Sequence, residues 1–438
     1  MASHGIARTN RNRTEQQRQQ DLDRIKKYRD LDDQIQVHVK QSNYDDPALF
    51  HLTTKILRLN PEYYTIWNVR RRCLISGSLS RRSAGLWHSR ASPSTSRSVT
   101  TKPSCAASSP SPSAATRPDP ATSPSPKKTG ASGTTPEAQD QDKEKETSEG
   151  QDKEKADIAA DIAADIALVQ SELAFTIPLL IEFPKCYWIW GYRSFLLSLC
   201  DRILPAAVAR DFWVAELALD SKMLTKDRRN FHAWTYRRFI VAALESTAAA
   251  ETTRSMTESE FEYTYSMIKV DLSNFSAWHN RSKLALRLLD ERGADDAARK
   301  KFLDQELELA REGLNVGPED QSLWYYHQFL MDQITTLSVS KEDADAKGLI
   351  VPNLSLADRK EFIDREVAEI KDLLEDYEDV KLIYEALLEY AMAYRAMSAS
   401  DGETANQDEM MAWLAKLREL DPLRQGRWDD LEKSLKAA

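Results

Sequence analysis

Hydrophobic residues recur at spacings of three and four along most of the chain. One such stretch places Ile166, Val169, Leu173 and Ile177 on a single helical face, which is typical of amphipathic helices. No stretch alternates convincingly with the period of two expected of a half-buried strand. The pattern therefore predicts an all-α protein.

A polar segment interrupts this pattern. Nine of the 17 prolines fall between Pro93 and Pro136, among Ser, Thr and Ala, and a charged run follows them. Such a composition cannot bury enough apolar surface to offset the entropy of ordering the chain. We predict a disordered, low-complexity insertion over 76–156 between helical parts at 1–75 and 157–438, and we interpret Trp87 inside it as incidental.

An internal repeat is the strongest signal in the sequence. The segments NPEYYTIWNVRR, FPKCYWIWGYRS, DRRNFHAWTYRR, DLSNFSAWHNRS and GPEDQSLWYYHQ align without a gap on Trp67, Trp190, Trp234, Trp278 and Trp324. The steps between these tryptophans are 123, 44, 44 and 46 residues. The first step exceeds the period by nearly the length of the insertion, so the insertion is predicted to interrupt the repeat.

Two further copies complete the array. Trp428 falls in register near the C-terminus, and Tyr384, one period earlier, holds the same position in a degraded copy. A period of about 44 residues fits two helices and two turns. We predict an α-α superhelix, or solenoid, of about six to seven antiparallel hairpins, each with a helix A, a turn and a tryptophan-bearing helix B.

The turn between the two helices has its own signature. Four copies carry a proline six residues before the tryptophan position, namely Pro61, Pro184, Pro318 and Pro422. Proline stops helix A and is tolerated at a turn or in a first helical turn. Asn230 and Asn274, four residues before their tryptophans, are predicted to cap helix B.

Aromatic and arginine residues flank the tryptophans at fixed distances. The aromatic residues three positions earlier are Tyr64, Tyr187, Phe231 and Phe275, and the arginines three positions later are Arg70, Arg193, Arg237 and Arg281. We expect the aromatic residues to share the buried face of the tryptophans and to fill the contact between neighbouring hairpins. The arginines are expected to be structural, bonding loop carbonyls or a carboxylate of the next unit.

Composition and charge narrow the function. A net charge of −9 disfavours nonspecific nucleic-acid binding, no run of about 18 apolar residues predicts a transmembrane segment, and the polar N-terminus lacks a secretory signal. The four cysteines have no CxxC spacing, which indicates reduced thiols in a cytoplasmic protein. The scattered histidines predict no metal site, and no glycine-rich phosphate loop is present.

The repeat resembles that of protein prenyltransferase alpha subunits, whose signature is a Pro- or Asn-containing turn, an aromatic residue, Trp, and Arg three positions later. Within this family the stretch DRRNFHAWTYRRF, with His4 and Gly5 before a basic segment, is most similar to type II (Rab) geranylgeranyltransferase alpha subunits. The resemblance implies a crescent of hairpins around a separate beta subunit, which holds zinc, the lipid pocket and most catalytic groups. This chain would carry no cofactor of its own.

The reaction implied is transfer of geranylgeranyl from its diphosphate to C-terminal cysteines of Rab GTPases, which an escort protein presents. The resemblance also assigns site residues in this chain. Lys185 and His232 occupy positions that contact the diphosphate at the subunit interface, and Tyr187 occupies a substrate-binding position. Phe231 stands where some relatives have a tyrosine, which puts a phenol hydrogen bond there in doubt.

Two alternatives remain open. The chain could be the alpha subunit shared by farnesyltransferase and geranylgeranyltransferase type I, which differs in substrate. It could also be a non-catalytic helical-repeat scaffold whose groove binds other proteins, with the likeness reflecting fold alone.

Overall fold

The structure, a computed structural model, describes residues 14–89, 140–246, 255–337, 348–398 and 407–437. These residues form α-helices and turns without a strand, which confirms the all-α prediction. The chain divides into two compact units, Met1–Ala209 and Arg210–Ala438.

The first unit holds the long N-terminal helix, the first two repeats and the insertion. Its helices are α1 (Glu15–Lys40), α2 (Pro47–Leu59), α3 (Tyr64–Cys73), α4 (Arg81–Ser89), α5 (Asp140–Glu182) and α6 (Tyr187–Ile203). A π-helical turn, Leu74–Ser78, follows α3. Helix α7 (Ala206–Lys226) begins at the end of this unit.

The second unit holds the remaining repeats. Its further helices are α8 (Phe231–Ser246), α9 (Thr257–Val270), α10 (Phe275–Glu291), α11 (Asp296–Val316), α12 (Gln321–Thr335), α13 (Leu356–Asp376), α14 (Lys381–Ser398), α15 (Gln407–Leu420) and α16 (Gln425–Ala437). A 3-10 turn, Pro422–Arg424, precedes α16. In both units, helices A and B of most repeats are joined by turns of four residues, such as 271–274.

Capping side chains fix the start of helix B. Asn274 accepts a hydrogen bond from the backbone N–H of Ala277 at 3.2 Å, and Asn230 accepts from that of His232 at 3.0 Å. Each satisfies a donor that the helix itself leaves unpaired. The two predicted N-caps are therefore confirmed.

The predicted limits of the insertion, 76 and 156, are wrong. Helix α4 extends to Ser89, and the hydroxyls of Ser80 and Ser83 donate to the buried carboxylate of Asp165 at 2.8 and 2.6 Å. Helix α5 already begins at Asp140. Polar composition suggested a loop because it does not reveal that these serines satisfy a buried charge. Residues 90–139, the centre of the insertion, lie outside the described residues.

Trp87 is not incidental either. Its ring meets that of Phe195 edge-on, with centroids 5.6 Å apart, and the Arg202 guanidinium lies 4.2 Å from the Trp87 ring centroid. Such contacts attach α4 to α6 through a cation–π interaction and an aromatic pair.

Part of α5 is apolar enough to raise the question of a membrane. By length and composition, Lys153–Glu182 could cross a bilayer, although a helix packed inside a protein passes the same test. The sequence analysis expected no such stretch. Glu172 within it buries its carboxylate against Arg70 and the hydroxyl of Tyr192, so that side of the helix packs against protein.

Candidate functional site

The tryptophans of helix B hold the turn that precedes them. In five repeats the indole N–H donates to the backbone carbonyl six residues earlier, at 2.6–2.9 Å: Trp67 to Pro61, Trp190 to Pro184, Trp234 to Arg228, Trp278 to Leu272 and Trp324 to Pro318. All five side chains are buried. The predicted structural role is confirmed, and the six-residue spacing is explained by a hydrogen bond.

The sixth and seventh repeats keep this hydrogen bond in modified form. The Tyr384 hydroxyl donates to the carbonyl of Glu378, also six residues earlier, at 2.9 Å. Trp428 donates to Asp421, seven residues earlier, at 2.9 Å, because a 3-10 turn begins at Pro422. Both residues therefore occupy the tryptophan position, as the sequence predicted.

The capping residues also connect neighbouring repeats. The carbonyl of Arg228, which accepts from Trp234, accepts a second hydrogen bond from the Asn274 side chain at 3.0 Å. In the first unit the Cys186 thiol lies 3.4 Å from the carbonyl of Pro61, which accepts from Trp67. A buried carbonyl with two lone pairs is thus satisfied from its own repeat and from the next one.

In three repeats a buried arginine joins helix B to helix A of the following repeat. Bidentate ion pairs at 2.6–2.7 Å join Arg70 to Glu172, Arg237 to Glu260 and Arg281 to Glu306. Two parallel charge-assisted hydrogen bonds fix both distance and orientation. The predicted carboxylate of the next unit is confirmed for these three arginines. Arg193, also buried, donates to the carbonyl of Leu173 within its own repeat at 2.8 Å.

The glutamates of these pairs are the residues that sequence analysis missed. A regular signal exists for Glu172 and Glu306, because a tyrosine 20 residues later donates its hydroxyl to each. Glu216 in the third repeat has a tyrosine at the same spacing, whereas residue 280, 20 positions after Glu260, is asparagine. The three hydrogen bonds, 2.5–2.7 Å long, run from Tyr192 to Glu172, Tyr236 to Glu216 and Tyr326 to Glu306. Burial, followed by the neighbouring carboxylate, raises the pKa of Tyr192 and Tyr326 well above that of a free phenol.

The fifth repeat replaces the arginine with His327. Its fully buried ring lies between Glu366 Oε2 at 3.1 Å and the Tyr390 hydroxyl at 2.9 Å. Burial alone would raise the pKa of Glu366, but His327, Arg311 and Arg365 outweigh it and lower that pKa. The contact between the fifth and sixth repeats is therefore also electrostatic, with different chemistry.

The aromatic residues three positions before the tryptophans are exposed, so the prediction that they fill the core is wrong. The exposed fraction of each residue is between 49% and 60%; the four are Tyr64, Tyr187, Phe231 and Phe275. Each is the first residue of its helix B. Because helical side chains tilt toward the N-terminus, a side chain at this position projects beyond the packed hairpin instead of into it.

In the first unit, Lys185 and Tyr187 flank the start of α6. Lys185 lies exposed in the turn before the helix, and Tyr187 is its first residue. The Tyr187 ring meets that of Trp188 edge-on at 5.2 Å, and Trp188 in turn contacts Tyr64 at 5.3 Å. The two residues thus share an exposed edge rich in aromatic rings.

In the second unit, His232 follows Phe231 at the start of α8. The two ring centroids lie 4.0 Å apart, and His232 is partly exposed. Phe231 offers an apolar ring without a hydroxyl. Farther along, Phe275 stacks near His279 at 6.0 Å and meets Tyr325 edge-on at 6.0 Å.

These helix starts can therefore recognise a ligand or a partner through aromatic rings and basic side chains. The exposed starts of helix B, at the positive ends of helix dipoles, combine apolar area with Lys185 in one unit and His232 in the other. Among the described residues no group of three or more His, Cys, Asp or Glu side chains is placed to hold a metal ion. His4 and Gly5 lie outside the described residues.

Comparison with known proteins agrees with the repeat architecture. Residues 47–76, 169–200, 213–244, 257–288 and 303–334 match the protein prenyltransferase alpha subunit repeat. The chain is 24% identical over 159 residues to a geranylgeranyl transferase type-2 subunit alpha of Schizosaccharomyces pombe, covering 36% of this chain and 44% of that protein. It is 25% identical over 209 residues to one of Candida albicans, covering 48% and 34%.

The matched parts are less than half the length of either relative. Among solved structures, a chain of Candida albicans protein geranylgeranyltransferase-I complexed with GGPP aligns with a TM-score of 0.47 and 16% identity. That alignment covers 94% of this chain and 91% of the other.

Proposed function

We propose, on the premise that this chain belongs to the protein prenyltransferase alpha subunit family, that it is the alpha subunit of a type II protein geranylgeranyltransferase. In this proposal it pairs with a zinc-bearing beta subunit in the cytoplasm. The pair transfers geranylgeranyl from its diphosphate to C-terminal cysteines of Rab GTPases presented by an escort protein. The names of the two relatives support type II over other classes.

One observation carries the proposal of a partner subunit. In four repeats the tryptophan of helix B is buried, but the first residue of the same helix is a large aromatic residue that remains exposed. Large aromatic rings bury much apolar area, and aromatic residues are prominent among the side chains that dominate the binding energy of interfaces. We therefore propose that these helix starts, in each unit separately, contact the beta subunit.

Lys185 is proposed to contact the diphosphate. Its exposed position in the turn before α6 suits a flexible ammonium that reaches across to a bound anion. The chemistry needed is neutralisation of the charge that develops on the leaving diphosphate. Tyr187, two residues later, is proposed as a substrate contact, and His232 is proposed as a separate diphosphate contact from the second unit.

Co-expression with candidate beta subunits tests the function. We expect a stable complex that modifies an escort-bound Rab with geranylgeranyl and does not modify a CaaX peptide. Modification of the CaaX peptide instead would assign the chain as the shared alpha subunit of farnesyltransferase and geranylgeranyltransferase type I. A complex with no prenyl transfer to either substrate would contradict an enzymatic role and favour a scaffold.

Lys185→Ala in the reconstituted pair tests the proposed diphosphate contact. We expect lower turnover or a higher apparent requirement for geranylgeranyl diphosphate, since removal of one charged contact to a developing anion typically costs about 2–4 kcal/mol. Lys55→Ala, at an exposed position of α2, is the matched control and should leave the kinetics unchanged. Wild-type kinetics in Lys185→Ala would remove this residue from the site.

A further inference from the structure

One repeat differs from the others directly beside its buried arginine. Seventeen residues before Arg70, Arg193 and Arg281 stand Thr53, Thr176 and Thr264, each bonded to that arginine. Each threonine hydroxyl also donates to the carbonyl three residues earlier in its own helix. The residue seventeen positions before Arg237, in the third repeat, is Asp220.

The surroundings of Asp220 are poorly suited to a charged carboxylate. The residue is fully buried, and neither carboxylate oxygen has a hydrogen-bond partner among the described residues. Arg237 NH1 lies 3.7 Å from Oδ2, beyond hydrogen-bond distance. A buried ion without hydrogen bonds is strongly destabilising.

Arg237 is already engaged by other groups. Its Nε and NH2 form the bidentate pair with Glu260 on α9, and its NH1 donates to Ser221 on α7 at 2.9 Å. The ring of Tyr263 on α9 lies under the guanidinium, with its centroid 3.5 Å away. The negative charge of Glu260 therefore already balances the positive charge of Arg237, and Arg237 has no second positive charge for Asp220.

Other acidic groups surround Asp220 as well. Glu216, one turn earlier on α7, accepts from Tyr236 of α8. Burial is the largest cause that raises the pKa of Asp220, from 3.8 to about 8; Arg237 opposes the rise, whereas Glu260 and Glu216 add to it. Geometry and charge balance therefore agree in favouring the neutral acid.

We propose that Asp220 is a proton-binding site built into the third repeat. Its carboxyl group carries a proton in the folded protein at neutral pH, occupies the threonine position as a neutral group, and releases that proton under mildly alkaline conditions. The threonines donate to the carbonyl three residues earlier. For Asp220 this is the carbonyl of Leu217, which already accepts a hydrogen bond from Ser221. Release of the proton places a second negative charge among α7, α8 and α9 and weakens their packing.

This proton links stability to pH. Because the folded chain holds one proton that the unfolded chain loses above about pH 4, the free energy of unfolding decreases as pH rises from about 4 to about 8. Above the pKa of Asp220 in the folded protein, the contribution of this group to the free energy of unfolding no longer changes with pH. The helix that carries Arg237 also begins with Phe231 and His232, so the proton acts on the element that presents these exposed side chains.

The test compares the full-length chain with Asp220→Thr, which restores the residue of the other repeats, and with Asp220→Asn. Asp211→Asn, an exposed aspartate on the same helix, is the matched control. Thermal unfolding is followed between pH 5 and pH 9. We expect the Tm difference between Asp220→Thr and the wild type to increase in favour of the variant by about 2 °C for each pH unit, up to about pH 8. The Tm of Asp211→Asn should change with pH as that of the wild type does.

A second measurement does not depend on how well the variants fold. Infrared spectroscopy of the wild-type protein at pH 6.5 should show the C=O stretch of a buried protonated carboxylic acid, which disappears as the pH is raised past about 8 and is missing in Asp220→Asn. A Tm difference that is constant across the pH range, or a wild-type spectrum without the protonated acid at pH 6.5, would overturn the proposal.

Discussion

Two positions one turn apart on helix B have opposite roles. Trp234 is buried and bonds the preceding turn, whereas Phe231, three residues earlier, leaves 60% of its surface accessible. Both are large aromatic residues repeated at the same period. Regular recurrence therefore identifies a constrained position but does not say whether packing or binding provides the constraint.

The difference follows from where each residue lies in its hairpin. The tryptophan stands in the second turn of helix B, beside helix A and the next repeat, where ridges of side chains interdigitate. The aromatic residue is the first of the helix and extends past the end of helix A. We infer that the hairpin body provides stability and that its exposed edge remains available for a partner.

Trp234→Ala should produce the largest loss of stability. It removes a buried indole and the hydrogen bond to the carbonyl of Arg228, so we expect a cost of about 4–5 kcal/mol in the free energy of unfolding. Denaturation by urea, followed by circular dichroism, measures it. Phe231→Ala is the control on the same helix and should change the free energy by less than about 0.5 kcal/mol. Similar losses in the two variants would abolish the comparison.

Arg281→Ala should come next, with a loss of about 3 kcal/mol, because it leaves the buried Glu306 carboxylate without its bidentate partner. The double variant Arg281→Met, Glu306→Leu separates charge from packing. We expect it to be more stable than Arg281→Ala in the same urea titration, since a buried pair replaced by apolar residues of similar volume is often tolerated. A double variant no more stable than Arg281→Ala would show that the intact pair contributes net stabilisation.

The sequence predicted the hairpin architecture well. Periodicity located helices A and B, and the fixed spacing of Pro61 and Trp67 located the turn. These features are local, because cap, turn and indole hydrogen bond all lie within six residues. Asn274 could be identified as a cap for the same reason.

Features that depend on a distant partner could not be predicted in detail. Arg70 pairs with Glu172, 102 residues away, and the insertion between them hides any fixed spacing. Ser83 appeared to belong to a polar loop because its partner, Asp165, is on the other side of the insertion. Lys185 and His232 still rest on resemblance, since their proposed role requires a ligand and a second chain.

Phe275→Ala tests the opposite side of the comparison, where the effect on stability should be smallest. The ring is half exposed and contacts Tyr325 edge-on, so we expect a change of less than about 0.5 kcal/mol in the free energy of unfolding. Binding to the beta subunit should weaken at least about tenfold if the ring is an anchor of the interface.

Titration calorimetry with the purified beta subunit measures this affinity. Lys283→Ala, at an exposed position of the same helix, controls for general changes in α10. Unchanged affinity in Phe275→Ala, with Phe231→Ala equally silent, would mean that exposed rings at the start of helix B do not form the partner surface and that their recurrence needs another explanation.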